Sequence, residues 1–322
     1  MTKVLIISNK SDITSDFIVK HLKEQNVAFY RFNTEELTKS VTLSIKFPAV
    51  SYKLFDKNLN KIYELSEFTS VYYRRPELPS FTNEELSTGE INFLRNEFLY
   101  SLEGIYKSLR RAYWVSPLYS IREAENKIYQ LDIANSLGFT IPNSIITNSY
   151  KEVSTFFKLN NQQCVIKPIK SGLIEDDLKS KVVFTNVLKS IPKNKKEISS
   201  NLNFIQSHIL KKGDIRVIAV GEKLFATYID SQLHSKTRTD WRRGEVKLNH
   251  TKIKLPKHLQ LKCISLLKIL NLKYGAIDFI LDKNDNYIFL EINPNGQWAW
   301  IEKQTGYNIT KQIVNLLKYE NF

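Results

Sequence analysis

The spacing of hydrophobic and polar positions changes period several times along the chain, and each change marks an element. A continuous apolar run, Val4-Leu5-Ile6-Ile7, predicts a buried strand that ends at the polar stretch Ser8-Asn9-Lys10-Ser11-Asp12. Phe17, Ile18 and Leu22 then recur at helical spacing within 16–25, and Val27-Ala28-Phe29-Tyr30 predicts the next strand. This βαβ opening has no G-x-G-x-x-G loop, so nothing in it cradles a dinucleotide pyrophosphate. Strand patterns follow at 41–47, 51–55 and 70–73, and a helical pattern spans 84–108. Arg74 and Arg75 close the last of these strands ahead of Pro76, which cannot continue a ladder. A charged strand end and a pair of ligand-gripping arginines are both open readings of that motif.

A boundary is expected near Trp114-Val115-Ser116-Pro117. Beyond it, 120–137 predicts a single helix with Leu131 and Ala134 inward and Gly138 as its stop. A strand at 144–147 and a helix at 151–158 lead to Cys164-Val165-Ile166-Lys167-Pro168, a buried strand ending in a lysine. A polar loop is expected at 169–177, and a hairpin or short helix in the lysine-rich stretch 179–200. Next come a strand at 204–210, a turn at 211–214 and a hairpin whose strands flank Gly221-Glu222, where glycine suits the first position of a tight turn. A basic loop covers 231–244, an amphipathic helix 258–270, and a second hairpin 275–293. The fold class is α/β with α+β, in three segments: 1–115, 116–203 and 204–322.

The second hairpin carries the chemistry. If Lys283-Asn284-Asp285-Asn286 form its loop, Asp282 pairs with Tyr287, and counting back sets Asp278 opposite Glu291. Like charges opposed across strands, in a nearly continuous apolar run, are costly unless a cation lies between them. Asn293 points to the same face and adds a carbonyl oxygen. Two carboxylates and an amide, with no Cys or His beside them, make a site for a hard cation, Mg²⁺ or Mn²⁺ rather than Zn²⁺. The alternative is that Arg or Lys from elsewhere bridges both acids. Magnesium with few protein ligands commonly also takes phosphate oxygens, which implies a nucleotide. No Walker-A motif is present, so scattered cations must hold its phosphates; Lys127, Lys167 and Arg216 are the candidates, with Asp214 near a strand end for ribose hydroxyls.

Composition narrows the classes. With 322 residues, 42% hydrophobic and 12% aromatic, the chain has material for a large core and more than one domain. No apolar run reaches the length of a membrane span, and two cysteines, Cys164 and Cys263, both in apolar surroundings, read as buried thiols rather than a disulfide framework. The expectations are therefore a soluble, cytoplasmic protein and no membrane partner. The net charge of +14 is uneven: residues 1–115 hold 16 Lys and Arg against 14 Asp and Glu, whereas 116–322 hold 31 against 19. Such a field suits polyanions, whether nucleic acid, phosphorylated small molecules or an acidic peptide.

Taken in order, these residues resemble an ATP-grasp ligase. Asn126-Lys127-Ile128-Tyr129-Gln130-Leu131, Asp214-Ile215-Arg216-Val217, Thr239-Asp240-Trp241-Arg242-Arg243 and Glu291-Ile292-Asn293-Pro294-Asn295-Gly296-Gln297-Trp298 are similar to the microviridin-type maturases, the graspetide synthetases. The likeness covers about 116–310, and Tyr73-Arg74-Arg75-Pro76 extends it into the N-terminal segment, a βαβ pre-grasp domain on this reading. The resemblance implies nucleotide between two α+β subdomains, with Lys127 and Lys167 on the phosphates and 206–210 on adenine, including Gln206, His208 and Leu210. It implies Asp214 on the ribose, Arg216 on the transferred phosphoryl, and Asp278, Glu291 and Asn293 on Mg²⁺. Where the family commonly has Gln-Glu at the hinge, this chain has Gln206-Ser207, which shifts adenine recognition towards backbone groups.

The implied reaction is ATP-dependent closure of rings in a ribosomally made precursor peptide, with ester or amide bonds between side chains. Arg74, Arg75, Asp240, Arg242 and Arg243 are then expected at the acidic core of that peptide, and Val217, Val220, Leu224 and Ala226 at its leader. The resemblance also implies a homodimer. Two other classes compete: an ATP-grasp ligase acting on amino acids or a protein tail, and a basic nucleic-acid-binding module in which the hairpin acids are structural. The last expects exposed aromatics interleaved with basic residues, which Trp241 and Trp298 meet weakly, so no nucleic-acid partner is expected.

Overall fold

The computed structural model describes residues 2–81, 86–170, 172–174, 181–243 and 246–319. Its first elements are β1 (Lys3–Ser8), α1 (Ile13–Glu24), β2 (Ala28–Asn33), β3 (Val41–Lys46), β4 (Ser51–Asp56), β5 (Lys61–Glu64), β6 (Ser70–Tyr73), α2 (Thr88–Ser108) and β7 (Tyr113–Val115). The middle of the chain forms α3 (Leu118–Ala124), α4 (Lys127–Ser136), β8 (Ser144–Thr147), α5 (Tyr150–Leu159), β9 (Cys164–Lys167), β10 (Leu173–Ile174), β11 (Lys181–Val182), β12 (Asn186–Leu188) and α6 (Lys195–Ser199). The remainder is β13 (Asn203–Ser207), β14 (Lys211–Val220), β15 (Lys223–Ile229), β16 (His250–Ile253), α7 (Lys257–Ile269), β17 (Tyr274–Asp282), β18 (Tyr287–Asn293), α8 (Ala299–Thr305) and α9 (Ile309–Tyr319).

Two compact units result. The first comprises 1–121, 271–274 and 295–322, so the last two helices return to the N-terminal unit rather than ending the C-terminal segment. Its main sheet has the order β2-β1-β6-β7, parallel throughout, as the βαβ pattern predicts. An antiparallel sheet β3-β4-β5 accompanies it; β5 has charged ends at Lys61 and Glu64 and β7 only three residues, so neither stands out in the hydrophobic pattern. Leu5, Ile7, Phe32, Leu54, Val71 and Ile105 form the core of this unit. Helix α2 begins at Thr88, because Ser87 accepts from the Glu90 amide while Glu90 reaches back to the Ser87 amide, a capping box. Residues 84–85 of the expected helix lie outside the described residues.

The second unit, 122–270 with 275–294, carries two larger sheets, β12-β9-β13-β8 and β16-β15-β14-β17-β18, and the two-stranded β10-β11. Strand β13 belongs to the first of these, so the segment boundary drawn at 203/204 falls inside a strand. The single helix expected at 120–137 is two: the Asn126 side chain accepts from the Ile128 and Tyr129 amides and starts α4 anew. Leu131 is only half-buried, whereas Gln130, Ile133 and Ala134 are buried. Gly138, in the left-handed region at φ 70°, ends α4 as expected.

The turn expected at 211–214 is instead the start of β14. Two local features let a polar run enter the sheet: Lys211 neutralises Asp214, and Gly213 leaves room for the Tyr228 ring, which a Cβ there would meet at 2.5 Å. Strand β16 was also not legible, being four residues in a basic context. The loop expected at 169–177 holds β10, paired with β11; residues 171 and 175–180 lie outside the described residues. The lysine-rich stretch forms β12 and α6, and both cysteines are buried. Among the described residues no helix is long and apolar enough to cross a membrane.

Candidate functional site

The site grows from the β17–β18 hairpin. Asp278 stands opposite Glu291, as counted from the sequence, but by a different route. Leu281, not Asp282, pairs with Tyr287: Asp282, the last residue of β17, donates its amide to the Asn286 carbonyl, and its side chain closes the loop by accepting from the Asn284 and Asn286 amides, both at 2.8 Å. A β-bulge then falls between the Phe279↔Phe289 and Asp278↔Glu291 pairs, leaving Leu290 as the extra residue. Loop and bulge errors cancel, and the two acids meet.

Cations converge on this pair from three other parts of the same unit. From β14, Arg216 Nη1 donates to both Asp278 oxygens, at 3.0 and 2.8 Å, and its guanidinium lies 5.8 Å from the centre of the Trp241 ring. Lys127, the first residue of α4, reaches Glu291 at 3.3 Å and donates to the Pro168 carbonyl at 3.0 Å. From the 239–243 loop, Arg242 lies 3.7 Å from Glu291. The alternative of basic bridges is thus what this structure contains. Even so, burial pushes Asp278 up to about 6, against the pull of Arg216 and with the help of Glu291. Burial would raise Glu291 too, but Lys127, Arg242 and Lys167 outweigh it and hold its carboxyl below the ordinary value. Lys167, at the end of β9, is pulled down to about 8 by burial, with Lys127 and Arg242 adding to the fall and Glu291 opposing it.

Four cations around Asp278, Glu291 and Asp240 leave this cluster electropositive, which suits polyphosphate. Asn293 lies two residues beyond Glu291 on the same face. Among the described residues no three His, Cys, Asp or Glu side chains lie close enough together to hold a metal ion by themselves. A buried carboxylate, a half-buried one and an amide oxygen fit a hard divalent cation that also takes phosphate oxygens, and they do not fit zinc.

Several expected site residues are differently placed. Asp214 is buried rather than near an exposed end, bonded to Lys211 at 2.9 and 2.7 Å and to the Ser231 hydroxyl; burial still raises its carboxyl. Gln206 is buried and donates to Ser144 at 2.9 Å, His208 donates its amide to the Gln163 carbonyl, and Leu210 is exposed. Arg74 is corrected most: only 1% exposed in the first unit, it donates to the Asn295 and Gly296 carbonyls and lies 3.6 Å from Asp12, so it is a core cation rather than an open grip. Its neighbour Arg75 has φ 45° at the strand end. Val217 and Val220 are fully buried, on opposite faces of β14, and Ala226 is 3% exposed; burial removes these side chains from any peptide, leaving Leu224 partly open.

The 239–243 loop has partners that no sequence pattern announced. Asp240 accepts from Arg242 Nε and Nη2 at 2.9 and 2.8 Å and from its amide, which holds the carboxyl low despite burial. Arg243 donates to the Thr185 carbonyl and Asn186 side chain and lies over the Phe184 ring. Lys211, Ser231 and Gln130 are further residues that sequence reasoning passed over.

A unit whose two sheets bring strand-end and helix-start cations to an opposed acid pair defines a phosphate-handling enzyme. A model of the RimK-like ATP-grasp domain matches residues 124–317, and a model of the MvdD pre-ATP grasp domain matches 3–122. The chain belongs to the RimK-like ATP-grasp family and is an ATP-grasp ligase, preceded by a pre-ATP-grasp domain. A RiPP-associated ATP-grasp ligase of Chryseobacterium gregarium, solved with ADP and a leader and core peptide, is 29% identical, with TM-score 0.90 over 98% of this chain and 96% of that one. The macrocyclase MdnC of Microcystis aeruginosa, bound with precursor peptide MdnA, shares the fold at 24% identity, TM-score 0.87, over 99% and 100% of the two chains. An uncharacterized protein of Mycoplasma genitalium is 24% identical over 267 residues, 75% of this chain and 88% of that one.

Proposed function

We propose that this ligase is a graspetide synthetase, closing rings within a ribosomally made precursor peptide. The γ-phosphoryl group of ATP passes to an Asp or Glu side-chain carboxylate of the peptide, giving an acyl phosphate and ADP. A Ser or Thr hydroxyl, or a Lys amine, of the same peptide attacks the acyl carbon. The bond from that carbon to the phosphate oxygen breaks, phosphate leaves, the nucleophile's proton is released, and an ester or amide remains. No enzyme nucleophile is needed, so positioning and charge carry the catalysis.

In this reading Lys127 and Lys167 hold the nucleotide phosphates and Arg216 the transferring group. Asp214, with Lys211 and Ser231 beside it, takes the ribose, and 206–210 lines the adenine through Gln206, His208 and Leu210. Asp278, Glu291 and Asn293 hold Mg²⁺, which when bound offsets charge on the phosphoryl oxygens. Arg75, Arg242 and Arg243, with Asp240 setting the loop, receive the acidic core, and Leu224 on the β14–β15 hairpin meets the leader. Peptide and nucleotide, rather than nucleic acid, account for the basic charge beyond residue 115.

The observation that carries the reading is the likeness, over nearly all of both chains, to a ligase solved with ADP, leader and core. Its test is incubation of the enzyme with ATP, Mg²⁺ and a Ser/Thr/Lys- and Asp/Glu-rich precursor peptide, sought among the small open reading frames that neighbour its gene. Mass spectrometry should show one water lost per ring. ATP turnover with free amino acids and no mass loss on the peptide would establish a different ligase class instead.

A further inference from the structure

Strand β18 is an edge strand, yet its outer side is not bare. Outward-pointing amides recur every second residue on a regular strand. Here they occur at Phe289, whose N–H donates to the Thr140 carbonyl at 2.8 Å, and at Ile292, three residues on; the bulge at Leu290 supplies the extra step. Past a bulge, a strand is no longer held in the register of the residues before it. Residues 291–293, which carry Glu291 and Asn293, pair with 278–276 of β17 in the shifted register, and their outer side, which no further strand covers, is left for another anchor.

Gln130 is that anchor. Its Oε1 accepts from the Ile292 amide at 3.0 Å and its Nε2 donates to the Ile292 carbonyl at 2.9 Å, a two-point pairing of the kind a neighbouring strand would make. The same Nε2 donates to the Ala124 carbonyl, at the break between α3 and α4. Gln130 is 2% exposed and lies one helical turn beyond Lys127. One buried amide thus ties the segment between two metal-ligand positions to the helix start that presents a phosphate-binding lysine.

We propose that Gln130 is a positioning residue, its side-chain amide standing in for an absent strand and fixing Glu291 and Asn293 relative to Lys127. The inference rests on the proposed role of Glu291 and Asn293 as ligands. Only glutamine meets both demands: methionine offers neither bond, ionised glutamate offers no donor and adds a charge beside Glu291, and asparagine is one methylene short.

The test is Mn²⁺ binding at saturating ADP, read by electron paramagnetic resonance of free Mn²⁺, in the full-length chain. Gln130→Met and Gln130→Glu should each weaken Mn²⁺ by about tenfold or more, the usual effect of removing a residue that orients a metal ligand. Leu266→Ala, a fully buried change on α7 in the same unit, serves as the stability control. It should lower the melting temperature at least as much and leave Mn²⁺ affinity within twofold of wild type. Either glutamine variant, folded and binding Mn²⁺ within twofold of wild type, overturns the proposal; so does an equal loss in Leu266→Ala. Glu291→Gln separates the two readings: if it binds Mn²⁺ like wild type, the ligand assignment fails, whatever Gln130 does.

Discussion

The two units use buried arginine in opposite ways. In the first, Arg74 is enclosed by backbone carbonyls and Asp12, with a hydrophobic core around the parallel sheet. In the second, Arg216 faces a carboxylate that itself faces another, with further cations on the same pair. Arg74, held by two backbone carbonyls and facing Asp12, fastens the end of β6 to residues 295–296 within its own unit. Opposed acids held apart by basic side chains form a balanced but crowded set, which a divalent cation and a polyphosphate can re-partner. The same residue type therefore serves stability in one unit and chemistry in the other.

The strongest way to break this comparison is to remove charge from the second unit. Asp278→Ala, Glu291→Ala and Arg216→Ala should each slow peptide dehydration at least about a hundredfold, by loss of electrostatic positioning, with leader affinity unchanged in a fluorescence-anisotropy titration. If leader affinity fell equally, catalytic and leader sites would not be separable. The counterpart in the first unit is Arg74→Met, which should cost about 3–5 kcal/mol in urea unfolding, as removal of one partner of a buried ion pair does, while the folded enzyme keeps its rate. A folded Arg74→Met that lost activity would return Arg74 to the substrate.

Finer tests sharpen the contrast. Lys167 holds its proton only below about 8, so nucleotide affinity should fall as pH rises past that value, and Lys167→Arg should remove the fall because guanidinium stays charged. The folding sign is opposite: an unfolded chain keeps this proton up to about 10.5, so the contribution of Lys167 to stability is lost as pH falls through about 8 and restored above 10.5. Asp240→Asn frees Arg242 from its two-point bond and should raise the peptide KM roughly tenfold, the scale of a hydrogen bond to a charged group, with little change in nucleotide affinity. Smallest is the hairpin pair. Leu224→Ala should weaken the leader roughly fivefold. Val217→Ala should instead cost about 2 kcal/mol of stability through a cavity and leave leader affinity alone.

The sequence by itself determined the βαβ opening, the two hairpins and the facing of Asp278 and Glu291, because side-chain period and strand pairing are local rules that survive small errors in loop length. It also carried the motifs that place the chain among ATP-grasp ligases. Only the tertiary structure decided that Arg74 is interior, that Val217 and Val220 are core, that Asp214 is shielded by Lys211 and Ser231, and that α8 and α9 join the N-terminal unit. Burial and long-range pairing depend on which element lands beside which, and no period along one strand encodes its neighbour. Gln130 shows this most plainly: it stands in a motif that the sequence brings out, but nothing along its helix assigns it a role, and its meaning comes from a strand 162 residues away.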